Sequence, residues 1–425
     1  MNLINFIKSI EPDKKKAPFA HTAYDAFFTF LFTPNSTTSG KGVHIRDGMD
    51  LKRLMVTVVV ALQVLYLFGT YNIGHQHFVA LGQHTGLLEA VHLKIAHGLI
   101  KILPIFIVTH VVGLAIEFWY AAKKGHAVEE GFLVSGALIP LIMPPDLPLW
   151  ILGVSVAFAV IIGKEAFGGT GMNVLNIALL ARVFIFFAYP TDISGDDVWI
   201  SGIEKVDGAY VGQMYGIVHG MLDGLFGSIG WSTFGEGGMA VVDGYTGATP
   251  LSLAAKGGWQ AVTEVYSQNQ IFWGTIPGSI GESSAPLIIV GAIVLMVMGI
   301  ASWRIIISGV VGAIVMSLLL NAWGATPFME VSWQNQLIMG SFLFAITFMA
   351  TDPVSAASTN TGKLIYGFLI GAVGMIIRVM NPAYPEGWML AILFMNVFAP
   401  LIDHYVIEGN ISRRVKRAKA VAAGN

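Results

Sequence analysis

The residues best placed to do chemistry lie in two interruptions of otherwise apolar stretches. Asp352 falls within the segment ATDPVSAASTNTG, where a proline and clustered hydroxyl residues break a helical pattern. Open backbone carbonyls and side-chain oxygens in such a break can bind a cation or a polar heterocycle. Asn173 and Asn176 follow GGTG in the same manner, where a helix N-terminus favours anionic or acceptor atoms. All three are equally suited to cap broken helices, and one residue can do both.

Several ionisable residues stand inside apolar stretches, where a charge is costly and function is the default expectation. His110 and Glu117 are seven residues apart and share one helix face, which suits a cation or proton path. A simple end-of-span role is equally open for these two. We expect four other side chains to reach the lipid headgroups from the ends of their spans: His97, Lys101, Asp403 and His404.

A third cluster lies outside the apolar stretches, at Asp243-Gly244-Tyr245-Thr246-Gly247-Ala248-Thr249-Pro250. Its D-G and T-G dipeptides are typical of a turn. A threonine hydroxyl is also an acceptor for a phosphoryl ester, and small Gly and Ala neighbours let an extended segment enter an enzyme's cleft. The residues alone leave a turn and a modification site both open.

Composition defines the class of protein that must position these residues. Only 12% of the 425 residues are charged, whereas 55% are hydrophobic. A soluble domain carries about 25% charged residues, so the sequence indicates an all-α polytopic membrane protein. The absence of cysteine excludes disulfides, thiolate metal sites and thiol nucleophiles. A net charge of −2 argues against nucleic acid as a partner.

Apolar runs predict about ten transmembrane helices, of which the third and eighth are short and end at prolines, as broken helices do. They lie at about 54–73, 97–121, 131–144, 148–164, 174–190, 285–303, 305–322, 336–350, 363–380 and 387–405. The predicted regions are an N-terminal arm (1–53), a first membrane repeat (54–190), an outer loop (191–284), a second repeat (285–405) and a basic tail (406–425).

Basic residues near the span ends predict that both termini are cytoplasmic and that the acidic loop 191–284 is periplasmic. An internal repeat is also visible without gaps. Gly153 matches Gly367, Lys164 matches Arg378, and Arg182 matches Asn396 at one constant offset. Five spans per half would make the second repeat inverted, with a ligand site between the halves. Chance alignment of apolar helices is the alternative.

The motif in the loop resembles a known modification site. Asp-Gly-x-Ser/Thr-Gly-Ala-Thr is similar to the site at which a flavin transferase esterifies the phosphate of FMN to the final threonine. The resemblance implies that Thr249 carries covalent FMN as a phosphoester and that the preceding motif residues are recognised with it. Those residues are Asp243, Gly244, Thr246, Gly247 and Ala248.

Over its whole length the chain resembles the B subunits of bacterial sodium-translocating NADH:quinone oxidoreductases, which are related to the D subunits of Rnf complexes. Blocks that carry the resemblance include HIRDGMDLKR, GKEAFGGTGMN, FFAYPTDISGDDVW, FMATDPVSA and RVMNPAYPEGWMLAILFMNVFAPLIDH. The resemblance implies a fold similar to urea transporters, with ten helices in two inverted five-helix repeats. It also implies a multi-pass protein of the bacterial inner membrane.

The same resemblance implies a role in an NADH:ubiquinone reductase (Na+-transporting). Electrons pass from FMN of the partner C subunit to covalent FMN, then to non-covalent riboflavin and to quinone, while Na+ moves outward. Asn173, Asn176 and Asp352 are the candidate riboflavin ligands, and the quinone site is expected around the arm and Gly113. Ile177 departs from the family's usual Asn-Pro-Ala, which puts the detailed geometry of this segment in doubt. Two alternatives are an Rnf-type subunit of a ferredoxin-linked complex and a urea-like solute channel.

Overall fold

The computed structural model describes residues 51–124, 131–196, 198–202, 247–381 and 386–423, with scattered positions between Ile7 and Phe28. Every regular element in these ranges is a helix, which confirms the expected all-α class. The buried apolar residues of both halves form one continuous core.

Twelve helices are numbered here in chain order. The first half contains α1 (Leu51–Ala80), α2 (Val91–Lys124), α3 (Phe132–Leu141), α4 (Leu149–Gly163) and α5 (Ile177–Ala188). Two helices precede the second half, α6 (Pro250–Val265) and α7 (Gln268–Trp273). The second half contains α8 (Ala285–Val297), α9 (Trp303–Trp323), α10 (Trp333–Ile338), α11 (Asn360–Met380) and α12 (Trp388–Ala423). Between α10 and α11, a helical turn (Phe342–Phe344) continues as a π-helix (Ala345–Met349).

Within the described residues, six helices are long and apolar enough to cross a bilayer, namely α1, α2, α4, α9, α11 and α12. Helices α3, α5 and α8 are apolar but shorter. The chain is therefore built as a multi-pass membrane protein. Ten crossings remain a prediction.

The two predicted helix breaks are present. Helix α3 ends at Leu141, shortly before Pro144-Pro145, and the π-helix ends at Met349, before Asp352-Pro353. The predicted eighth span is further divided at Gly340, whose φ of +65° suits glycine. The predicted tenth span, in contrast, continues past 405 to Ala423, because the Lys, Arg and Ala residues that follow are good helix formers.

The two halves share several packing contacts, although α1 packs closely on α2 and α8 does not pack on α9 in this way. Helix α2 packs on α4 as α9 packs on α11, and α4 packs on α5 as α11 packs on α12. In addition, α1 packs on α3 as α8 packs on the π-helix. The halves meet where α8 contacts α1 and where α12 contacts α5.

Glycines allow the tightest of these contacts. A Cβ at Gly312 would overlap the carbonyl of Phe368, and one at Gly371 would overlap the carbonyl of Gly309. The backbones of α9 and α11 are thus in direct contact, which is how membrane helices associate without a hydrophobic driving force between them.

We predict that Gly371→Ala destabilises the protein by about 1–3 kcal/mol, because the added methyl group overpacks the α9–α11 contact. Gly409→Ala is the matched control, since a Cβ there meets no atom within 4 Å. Thermal unfolding of the detergent-solubilised variants measures the difference. Equal stability of the two variants would show that the close contact is unimportant.

Candidate functional site

Thr249 occupies the N-cap of α6. Its Oγ1 accepts a hydrogen bond from the Ser252 N–H (3.2 Å), and Pro250 begins the helix. The preceding residues are held firmly: the Tyr266 hydroxyl donates to the Ala248 carbonyl (2.9 Å), and Gly247 is buried against Ile200. The Thr249 side chain is itself half-buried. Asp243, Gly244 and Thr246 lie outside the described residues.

Thr249 lines a cavity of about 360 Å³, which we call the Thr249 cavity. Its wall is formed by α5, α6 and the loops before α8 and α12. The polar lining includes Arg182, Asp196, Lys256, Ser279, Glu282 and Glu386.

Lys256 lies near Thr249, about two turns along α6, and forms an ion pair with Asp196 (2.7 Å). Burial alone would raise the pKa of Asp196, but hydrogen bonds from Lys256 and Ser252 outweigh burial and lower this pKa. The Lys256 side chain is 66% exposed, so solvent screens this pair.

Arg182 forms the floor of the Thr249 cavity and is fully buried. Its guanidinium donates to the Ile142 carbonyl, to Ser279 Oγ (3.2 Å) and to the Glu386 carboxylate. Glu282 Oε2 lies 3.7 Å from Nη1. Burial raises the pKa of Glu282 to about 8; Arg182 opposes this rise and Glu386 adds to it. The floor thus holds Arg182 between two carboxylates, those of Glu282 and Glu386.

A second, smaller cavity brings together all three residues predicted from the helix breaks, and we call it the Asn176 cavity. Asn173, Asn176 and Asp352 line it, with apolar residues such as Leu138 and Phe348. Asn176 Nδ2 donates to Asp352 Oδ2 (3.3 Å), so the segment before α5 is in direct contact with the break after the π-helix. Polar groups set in an apolar wall are typical of sites for small organic ligands.

The capping alternative for these residues is partly correct. Asn176 Oδ1 accepts from the Leu179 N–H (3.1 Å) and thus caps α5 while its amide nitrogen faces Asp352. Asp352 accepts from the Val354 N–H (3.1 Å) and from Ser355 Oγ (2.9 Å) but caps no helix. Thr359 is the N-cap of α11.

One helix joins the two cavities. Asn176 at the start of α5 lines the Asn176 cavity, whereas Arg182 and Phe186 on the same helix line the Thr249 cavity. Six residues of helix separate Asn176 from Arg182, a rise of about 9 Å.

Glu117 and His110 do not form a common site. The Glu117 carboxylate forms a buried ion pair with Lys164, which also lines the Asn176 cavity. His110 Nδ1 instead lies 2.9 Å from the Phe106 carbonyl, and its ring packs near Phe132. The Glu117–Lys164 pair crosses from α2 to the end of α4.

The expectation that four end-of-span side chains reach the headgroups is wrong for Lys101 and His97, and for half-buried Asp403 it stays a prediction. Lys101 is buried and bonds Asp146 (2.6 Å), and buried His97 bonds Ser201 Oγ (2.5 Å). Asp403 accepts from the Thr359 N–H (3.0 Å) at the start of α11. Protein partners satisfy these groups, so they need no contact with water. His404 is exposed, as expected.

Sequence reasoning missed the partners of the buried charges. Lys164 was considered only for orientation and for the internal repeat, and neither Glu282 nor Glu386 was connected with Arg182. These partners are far apart along the chain and share no periodic pattern. The available signal was that an acid in each of the apolar blocks IPGSIGE and NPAYPEGW needs a cation.

The two cavities fit the chemistry that the resemblance implies. At the Thr249 cavity a hydroxyl stands at a helix N-terminus, and Arg182 and Lys256 line the same cavity, a setting that suits a phosphoester. At the Asn176 cavity, amide and carboxylate groups suit the polar edge of a heterocycle, and the apolar wall suits its ring.

The fold and these sites define a helical membrane protein with two cavities, one of which is lined by a threonine hydroxyl. Residues 38–412 match the model of the NQR2, RnfD, RnfE family. The chain belongs to this family, as the resemblance predicted.

Two relatives, each named as the B subunit of a Na(+)-translocating NADH-quinone reductase, illustrate the similarity. The protein from Chromohalobacter salexigens is 41% identical, over 99% of this chain and 98% of the relative. The protein from Ectopseudomonas mendocina is 41% identical, over 93% of this chain and 94% of the relative.

We predict that Glu117→Gln and Lys164→Met each destabilise the protein by about 3–5 kcal/mol, because each leaves one buried charge without its partner. The double variant is expected to recover most of this loss, since neither charge remains. Thermal unfolding of the three variants measures the coupling. Additive losses in the double variant would contradict a dominant ion pair.

Proposed function

We propose that this chain is the B subunit of a Na+-translocating NADH:quinone reductase in the bacterial inner membrane. Relatives with this name match nearly the full chain, and the structure has six helices suited to spanning a bilayer. In this role the chain passes electrons toward quinone, coupled to outward Na+ movement. The C subunit and the other subunits of the complex, a flavin transferase, quinone and membrane lipid are its proposed partners.

Thr249 is the proposed attachment residue for FMN. The observation that carries this proposal is that Thr249, the last residue of the motif, lines the Thr249 cavity from a helix N-cap. The positive end of the α6 dipole favours phosphate charge at Thr249, and Lys256 lines the same cavity. Bound FMN supplies electron transfer, and a covalent tether prevents its loss. The task of the chain is to hold the ring close to the next carrier.

Riboflavin is proposed to occupy the Asn176 cavity. Asn173 and Asn176 offer amide groups to the polar edge of the ring, and Asp352 offers carboxylate oxygens. Because α5 reaches from this cavity to the Thr249 cavity, one short helix holds both sites at a fixed separation.

The architecture proposed for this function has ten crossings in two inverted five-helix repeats, with both termini cytoplasmic and 191–284 periplasmic. The packing contacts that the two halves have in common support it. The quinone site is proposed near Gly113, whose backbone is pressed against the Phe132 ring.

We predict that the denatured chain, purified from cells that express the flavin transferase, fluoresces on a gel and that Thr249→Ala abolishes this fluorescence. Loss of the acceptor hydroxyl removes the ester. Ser252→Ala is the matched control, because it deletes a hydroxyl from the same cavity and keeps the acceptor. A dark wild-type band, confirmed by intact mass, would refute the proposal.

We further predict that Asp352→Asn releases non-covalent riboflavin at least tenfold more readily on dilution while the covalent flavin stays attached. Loss of the carboxylate weakens the polar contacts of the Asn176 cavity. Asp146→Asn is the control, since it alters a half-buried carboxylate that lines neither cavity. Flavin extracted from the purified complex and quantified by chromatography gives the ratio. Equal retention in the two variants would place riboflavin elsewhere.

The two rival functions differ in simple observables. Co-purified subunits distinguish an Rnf-type complex from a NADH:quinone reductase. Solute flux through the isolated protein in vesicles, without flavin, would favour a urea-like channel. A threonine presented at a cavity by the loop before α6 is unexplained by a channel, and this favours the redox function.

A further inference from the structure

The floor of the Thr249 cavity carries more charge than a structural role requires. Arg182 is 2% exposed and donates hydrogen bonds to acceptors in three separate segments: Ile142, Ser279 and Glu386. A buried ion pair is weak evidence of stability, because desolvation offsets its attraction. Charges kept at this cost beside a cavity point to a role in that cavity.

Arg182 differs from the other cation of the cavity in its surroundings. Lys256 is largely exposed, so water and salt screen its field. Arg182 is screened far less, and its guanidinium stays protonated in proteins. Arg182 is therefore the less screened of the two cations that line the cavity, and the Glu386 and Glu282 carboxylates oppose its charge.

Electron transfer changes the charge of whatever occupies the cavity. When one electron enters a flavin ring from a mediator or a reduced neighbouring flavin, the ring becomes more negative by one unit, and no covalent bond forms or breaks. A fixed cation nearby favours the reduced form, and a fixed anion opposes it.

We propose that Arg182 and Glu386 are an opposed charge pair that sets the reduction potential of the flavin on Thr249. Arg182 raises the potential and Glu386 lowers it. This inference rests on the proposed attachment of flavin to Thr249. Both residues act through their field, as tuning residues of the cavity floor. Because both residues are held by the fold, the reduction potential of the flavin is set by the fold as well.

The test is a spectroelectrochemical titration of the purified complex carrying Arg182→Gln or Glu386→Gln. Subtracting the titration of the Thr249→Ala complex isolates the covalent flavin, and gel fluorescence verifies its attachment. We expect Arg182→Gln to disfavour reduction at least tenfold, a negative shift of about 59 mV for one electron. Glu386→Gln is expected to shift the potential in the positive direction.

The control is Lys101→Gln, which removes an equally buried, ion-paired cation that lines neither cavity. Its covalent flavin should keep the wild-type potential, as should that of Arg182→Lys, which retains the charge. General damage to the fold would shift the flavin's reduction potential in the same direction in all variants. Opposite signs for Arg182→Gln and Glu386→Gln identify an electrostatic cause.

Two failures are distinguishable. A wild-type chain without attached flavin would overturn the proposed function. An attached flavin whose potential is unmoved by both variants, or moved in the same direction by both, would overturn only the charge-pair inference. If Arg182→Gln does not assemble, Glu386→Gln decides alone, because an unchanged or more negative potential contradicts the inference.

Discussion

A guanidinium within an apolar helical bundle has to be met by acceptors from the protein, and Arg182 shows how far this requirement reaches. Its acceptors come from the end of α3, from the loop before α8 and from the segment before α12. These contacts bind the first half to the second half at the base of the Thr249 cavity. The same end of the bundle holds a second fully buried guanidinium, Arg378, which donates to the Gln336 carbonyl (2.6 Å) and lies over Trp388.

The helices and their breaks were largely predictable from the sequence. Long apolar runs predicted α1, α2, α4, α9, α11 and α12, and prolines marked the breaks before Asp146 and Asp352. Such features depend on a few neighbouring residues. The convergence of Asn173, Asn176 and Asp352 also followed, because short broken helices in matching places of two halves tend to meet.

The pairing of the buried charges was not predictable in this way. Arg182 and Glu386 are 204 residues apart, and only the packing of α12 on α5 brings them together. A single sequence contains no signal for such a contact beyond the cost of leaving each charge alone. For the same reason Lys101 and His97 were assigned to the headgroups, although Asp146 and Ser201 approach them from distant loops.

Residues at the start and in the middle of α5 line the two cavities, so this helix fixes the distance between them. At the start of α5, the Asn176 side chain donates to Asp352. The Asn176 backbone N–H donates to the amide oxygen of Asn396 on α12 (3.1 Å) when that oxygen faces α5. Arg182 is held one and a half turns later. A short helix fixed at both points changes length very little, so ligands at its two ends keep a constant spacing while other helices move.

The length of α12 has a practical consequence. Its 36 residues extend about 54 Å, whereas about 20 residues suffice to cross the hydrocarbon layer. Its last turns, which are rich in arginine and lysine, therefore extend beyond the length needed for one crossing. A reporter protein joined there would be carried well away from the bilayer surface, and its distance from a label on the membrane would read out any tilt of the helix beneath it.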